Sequence, residues 1–218
     1  MSMIKKIVLA LALTTLSAPS ISEIGTGEAQ FQKIIDDASI SKGKEKSITC
    51  MGCHGIDGNS AAPTFPNLAG QHASYLYKQL MEFKSGKRAN ATMMAMVAAL
   101  SKEDLANLAK FYSIQKLKLK NDQKASNSGR KIYHDGIPGD RGQSIPACQS
   151  CHQADGLGNN EANFPALKGQ KKNYIVSQLK GFKSKMRNND AGQMMRTISK
   201  NMTEEEMQAV ADYIENMK

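Results

Sequence analysis

The pentapeptide Cys-Met-Gly-Cys-His at 50–54 returns as Cys-Gln-Ser-Cys-His at 148–152, and the two copies use all four cysteines of the 218-residue chain. The recurrence extends well beyond the cysteines. FPNLAGQHASYLYKQLMEFKSGKR at 65–88 aligns with FPALKGQKKNYIVSQLKGFKSKMR at 164–187, an offset of 99. LSKEDLANLAKFY at 100–112 aligns with MTEEEMQAVADYI at 202–214, an offset of 102. The chain is therefore two copies of one unit, which implies paired domains rather than a solenoid, since a solenoid needs more copies. The polar stretch KLKLKNDQKASNSG at 116–129 reads as the linker between them.

Each unit reads as helical, giving an all-α fold of two tandem domains. Tyr75, Leu76, Gln79, Leu80 and Phe83 share one helical face, as do Tyr174, Ile175, Gln178, Leu179 and Phe182. The last helix of each unit opens on a capping signature, Ser101 with Asp104 and Thr203 with Glu206. Leu105, Leu108, Ala109 and Tyr112 then form an apolar stripe, matched by Met207, Val210, Ala211 and Ile214. No stretch shows convincing period-two alternation. The runs 55–70 and 153–169, rich in Gly and Pro, read as loops. Hydrophobic residues make up 40% of the chain and Trp is absent. Two separate cores of this size bury a small share of their surface, so a large apolar group completing each core fits the composition.

The N-terminus reads as an export signal. Lys5 and Lys6 precede the apolar run Ile7 to Leu16, and the small residues of SAPSIS follow. Ten residues rise only about 15 Å as a helix, too little to cross a bilayer. Residues 1–22 are assigned as the signal peptide, 23–118 as the first domain and 119–218 as the second. The cleavage point stays open between Ala18 and Ser22. Residues 23–40 have no counterpart in the second unit and read as an added short helix. The mature protein is expected in the periplasm, an oxidising compartment.

Paired cysteines in that compartment suggest a disulfide, and two C-x-x-C knuckles suggest a zinc ribbon. Neither explains a His after the second cysteine in both copies. C-x-x-C-H is the attachment pattern of c-type haem: two thiols add to the two vinyl groups, and the next residue lies beneath the iron. Cys50 and Cys53 with His54 would hold one haem, and Cys148 and Cys151 with His152 the other. A proximal His needs its second ring nitrogen hydrogen-bonded. Pro66 and Pro165, in matched loops, hold the chain extended so that a backbone carbonyl can accept that N–H.

The sixth ligand is read from the repeat. His72 is matched by Lys171 and His134 is unmatched, so neither recurs. Among the methionines, Met93 lies eight residues before Ser101 and Met195 eight residues before Thr203. In that register Met94 meets Arg196, Met96 meets Ile198 and Met194 meets Thr92. The coinciding pair is Met93 with Met195, and Met-plus-His ligation raises a haem potential.

Formal net charge is +9, and both halves are basic. Lys168, Lys171, Lys172, Lys180, Lys183, Lys185 and Arg187 follow one another with no acid between. A charge run is commonly a solvated helix face. As a docking surface it fits an acidic redox partner or an anionic membrane. Nothing in the sequence points to nucleic acid or to a small-molecule substrate.

On the two C-x-x-C-H motifs, GIDGNSAAPTFPNLAGQ, YLYKQLMEFKSGKR, LSKEDLANLAKFYS and their second-half counterparts, the chain resembles the cytochrome c4 family from about residue 40 to its end. The resemblance implies two class I cytochrome c domains with two covalent His/Met haems near the domain interface. It implies electron transfer toward a terminal oxidase and loose association with the membrane, and it places Met93 and Met195 at the axial methionine positions. The expectation is an electron carrier rather than an enzyme. The competing readings are a di-haem peroxidase, which needs an open iron site, and a haem subunit of a larger dehydrogenase complex.

Overall fold

The structure is a computed structural model, and it describes residues 31–120, 124–139 and 144–218. The signal peptide assigned to 1–22 lies outside the described residues. The first domain contains α1 (31–36), α2 (Ile40–Lys46), a 3₁₀ turn (Ser47–Thr49), α3 (Met51–His54), α4 (Ala73–Lys84), α5 (Ala91–Val97) and α6 (Lys102–Ser113). In the second domain α7 (Asn127–Asp135), α8 (Gln149–His152), α9 (Lys172–Lys183), α10 (Met194–Lys200) and α11 (Glu204–Glu215) repeat α2 to α6. The fold is all-α: among the described residues the only pairings of β type are two isolated bridges, Ile137 with Ile145 and Asn159 with Phe164. Helix α1 stands where the sequence suggested an added short helix, and it seats Ile35 in the first core with Phe31 against Tyr77.

Helices α2 and α6 of the first domain, and α7 and α11 of the second, cross at a glycine. A Cβ on Gly43 would lie 2.0 Å from the Asn107 carbonyl oxygen, and one on Gly129 would lie 1.9 Å from that of Ala209. No side chain fits there, so glycine sets how closely α2 packs on α6 and α7 on α11. Both expected capping boxes form, at Ser101 with Asp104 and at Thr203 with Glu206. Behind them the expected stripes are buried: Leu105, Leu108, Ala109 and Tyr112 in one core, Met207, Val210, Ala211 and Ile214 in the other.

The linker differs from its sequence reading. Helix α7 starts at Asn127, because Ser126 Oγ accepts the Gly129 N–H as an N-cap. The end of the supposed linker is therefore helix. Its beginning, Lys116 to Lys120, is an extended strap with half-buried Leu117 and Leu119 alternating with exposed lysines. Leu117 packs near Gly70 and Gly169, and Leu119 near Gly169. Asn59 donates to the Lys116 carbonyl and accepts the Lys118 N–H. Lys118 pairs with Asp57 at 2.7 Å and Lys120 with Glu215 at 2.9 Å. The short KLKLK alternation carries this burial, and its lysines disguise it as a tether.

The domains meet across a pseudo-twofold polar interface. Gln71 and Gln170 are buried and bond reciprocally to backbone of the opposite domain. Helices α4 and α9 and the turns after them bring Tyr75, Gln79 and Arg88 against Tyr174, Gln178 and Arg187. The helical face read as core is thus divided: Leu76 and Phe83 enter the domain core, while Gln79 turns to the other domain. One asymmetric addition is Glu82, buried beside Lys78 and Asn189. Burial pushes its carboxyl up, but hydrogen bonds from Lys78 and Asn189 together with the charges of Lys78 and Lys87 hold it below its usual value.

Candidate functional site

Each C-x-x-C-H forms one helical turn. The His54 N–H donates to the Cys50 carbonyl at 3.0 Å, and the His152 N–H to that of Cys148 at 2.9 Å. The turns end on positive φ, at Gly55 (79°) and Gln153 (66°). Glycine adopts this freely, whereas at Gln153 the second unit accepts a side chain in the left-handed region. All four cysteines are free and half-buried. Burial raises the Cys50 thiol and pushes Cys148 up to about 11. A dithiol redox catalyst relies on a depressed thiol pKa, and neither Cys50 nor Cys148 shows one. Among the described residues no group of three or more His, Cys, Asp or Glu is arranged to hold a bare metal ion.

His54 and His152 are buried, and their Nδ1 atoms lie 2.9 Å from the carbonyl oxygens of Pro66 and Pro165. A carbonyl only accepts, so Nδ1 carries the proton in both rings. Desolvation lowers both imidazoles from their ordinary value. Each is then neutral with a bare Nε2, the state a metal ligand requires. The rings of Phe65 and Phe164 stand 6.2 and 6.3 Å from the two imidazoles. The extra residue of the second loop is absorbed between Gly156 and Pro165, where Asn159 bridges to Phe164 and Asn163 turns with φ of 58°. Pro165 therefore reaches the same position as Pro66.

Met93 and Met195 occupy matched positions, half-buried against the first and second cores. The other candidates are placed differently. Met94, Met96 and Met194 are about two-fifths exposed, Met186 is exposed, and Met202 is sealed inside the second core. The Met93 N–H is capped by Asn90 Oδ1. His134 has both ring nitrogens engaged, Nδ1 with Gln149 Oε1 and Nε2 with the Tyr213 hydroxyl, each at 2.8 Å. His72 stands at the N-cap of α4, as Lys171 does at α9.

The basic run 168–187 does not form one face. Lys172 pairs with Asp212 and Lys180 with Glu204, while Lys183 donates to the Met202 carbonyl. Arg187 turns into the domain interface and stacks over Phe182, 4.4 Å from its ring centroid. Spacing along the chain could not show that the neutralising acids arrive from α11. The interface residues were also missed in sequence. Their signal was present: Tyr75 and Gln79 recur as Tyr174 and Gln178, polar side chains on a helical face shared with apolar ones, and Arg88 recurs as Arg187 just past the helix end.

These residues fit a covalently held haem in each domain: two unpaired thiols one turn apart, a neutral imidazole with a bare Nε2, and a thioether on the core side of a matched helix. A family model described as Cytochrome c matches residues 40–118 and 126–218. A cytochrome c4 of Pseudomonas aeruginosa is 36% identical, the match covering 80% of this chain and 87% of that protein. A thiosulfate dehydrogenase electron acceptor of Stutzerimonas stutzeri is 35% identical, over 78% of this chain and 80% of its own. The crystal structure of reduced recombinant cytochrome c4 from Pseudomonas stutzeri superposes with a TM-score of 0.76 at 34% identity, covering 83% of this chain and all of the other.

Proposed function

The chain belongs to the cytochrome c4 family, di-haem c-type cytochromes that carry electrons, and on that premise we propose that it is an exported carrier whose two irons are each held by one His and one Met. Cys50 and Cys53 anchor the first haem and Cys148 and Cys151 the second. His54 and His152 are the proximal ligands, Met93 and Met195 the distal ones. The observation that carries the assignment is the forced tautomer: both histidines spend Nδ1 on a proline carbonyl and keep Nε2 bare.

Bound haem supplies one-electron chemistry, its iron passing between ferrous and ferric states. The protein holds each imidazole in one orientation, supplies a thioether from α5 or α10, and buries both donor sets against a packed core. A filled sixth position leaves no site for peroxide, which argues against the peroxidase reading. The domains run 23–118 and 119–218, preceded by a cleaved export signal at 1–22. Among the described residues no helix is long and apolar enough to cross a membrane.

Two readings of its partners follow, one naming the acceptor and one the donor. In the first, electrons pass toward a terminal oxidase. In the second, favoured by the 35% identity to a thiosulfate dehydrogenase electron acceptor, the chain takes electrons from a periplasmic dehydrogenase. Reduction of the purified holoprotein by such a dehydrogenase, followed by visible absorbance, separates them. Rapid reduction supports the second reading, and reoxidation by oxidase-bearing membranes without it supports the first.

A further inference from the structure

Each proximal histidine is tied to the opposite domain through a single peptide group. The Pro66 carbonyl accepts His54 Nδ1–H at 2.9 Å, and the N–H of the same peptide, on Asn67, donates to Gln170 Oε1 at 2.8 Å. Gln170 Nε2 returns a bond to the Asn67 carbonyl at 2.9 Å, so the amide orientation is fixed by its partners. The mirror arrangement holds in the second domain. The Pro165 carbonyl accepts His152 Nδ1–H, and the Ala166 N–H donates to Gln71 Oε1 at 2.9 Å. Gln71 Nε2 donates to the Ala166 carbonyl at 2.9 Å. Both glutamines are buried, with 6% and 7% of their surface exposed.

A peptide group is conjugated, so a hydrogen bond given by its N–H strengthens its carbonyl as an acceptor. A stronger acceptor at Nδ1 makes the imidazole more basic and a better donor through Nε2. A better donor stabilises ferric over ferrous iron and lowers the potential. We propose that Gln170 sets the donor strength of His54 and Gln71 that of His152, so that each domain tunes the potential of the haem held by the other. The inference rests on His54 and His152 being the proximal ligands. The two glutamines are positioning residues, acting through the Pro66–Asn67 and Pro165–Ala166 peptides. An interface clamp would only need to bond somewhere on the facing surface. These bonds fall in both domains on the one peptide that supports the histidine.

The test uses the full-length di-haem protein. Both midpoint potentials are measured by spectroelectrochemistry, each haem being assigned by NMR contacts to Phe65 or Phe164. Gln170→Met should raise the potential of the haem held by His54 and leave the other in place; Gln71→Met should do the reverse. Gln170→Glu, which keeps an acceptor facing the Asn67 N–H and makes it more negative, should shift the His54 haem the opposite way. The His54 Nδ1–H resonance should move in opposite directions in these two Gln170 variants. Equal shifts of both haems with one sign in Met and Glu variants would mean a loosened interface and would overturn the inference, as would a shift confined to the glutamine's own domain, or none. A protein without haem would overturn the ligand assignment beneath it.

Discussion

Arg88 and Arg187 exchange partners across the domain boundary: Arg88 donates to the Tyr174 hydroxyl at 3.0 Å, and Arg187 to the Tyr75 hydroxyl at 3.0 Å. Each also reaches both glutamines, Gln79 and Gln178, one in its own domain and one in the other. Each guanidinium lies over the Phe near the end of the preceding helix, at 4.5 Å for Phe83 and 4.4 Å for Phe182. This part of the interface is polar, and each arginine's bonds to the Tyr and Gln side chains are made twice.

Removing one arginine takes the donor from a Tyr hydroxyl and one of the two charged donors from each Gln oxygen. Arg187→Ala should therefore destabilise the protein by about 3 kcal/mol, within the range for breaking a buried charged network. Calorimetry of the holoprotein checks this. Lys185→Ala, on an exposed neighbour, should lie within about 0.5 kcal/mol of the parent.

The crossing glycines make a second stability prediction. Gly43→Ala and Gly129→Ala each drive a methyl group into a backbone carbonyl of the facing helix, and overpacking of this kind costs about 1–3 kcal/mol. Chemical denaturation should show both losses. Gly52→Ala should show little, because a Cβ there meets nothing within 4 Å.

Met93→Ala should lower the potential of one haem and Met195→Ala that of the other, since a thioether favours ferrous iron. The near-red Met-to-iron band should fall by about half in each single variant and vanish in the double, the sites acting independently. Met94→Ala, on an exposed side chain, should leave the band in place.

Strap pinning should depend on pH. The Lys118 ammonium, which donates to Asp57, holds that carboxyl down at about 2. A depressed carboxylate contributes stability in full above its unfolded pKa, about 4, and loses it as pH falls through about 2. Lys118→Gln should be less stable than the parent at pH 6, by under about 1 kcal/mol for so exposed a pair. The difference should close on acidification through that window in acid-unfolding curves.

Partner docking should respond to salt. Lys168 and Lys185 make no ion pair among the described residues, whereas Lys172 and Lys180 are paired with Asp212 and Glu204. If these lysines meet an acidic partner, Lys168→Gln with Lys185→Gln should slow electron transfer at low salt and not at high salt. Stopped-flow reduction at two ionic strengths reads the effect.

The repeat carried most of this architecture. The capping boxes, the apolar stripes of α6 and α11 and the proline partners of both histidines follow local rules, so Ser101, Leu105 and Pro66 announce themselves in sequence. What stayed hidden depends on contacts between distant segments. Gly43 and Gly129 look like ordinary helix glycines until the facing carbonyl is known. Gln79 and Gln178 share a face with core leucines, and only a second domain packed there explains them. The lysine run looked continuous because its neutralising acids, Glu204 and Asp212, lie on another helix. The strap was masked because two leucines between lysines are too few to establish a period.

The central claim is one covalently attached haem per domain, held through the paired cysteines. Intact mass spectrometry of the holoprotein after acid–acetone extraction tests it most directly, with the Cys50→Ala/Cys53→Ala and Cys148→Ala/Cys151→Ala variants alongside. The account predicts a parent mass equal to the polypeptide plus two haems, and one covalent haem lost in each variant. A parent at the bare polypeptide mass, or one carrying zinc or two internal disulfides instead, would contradict it.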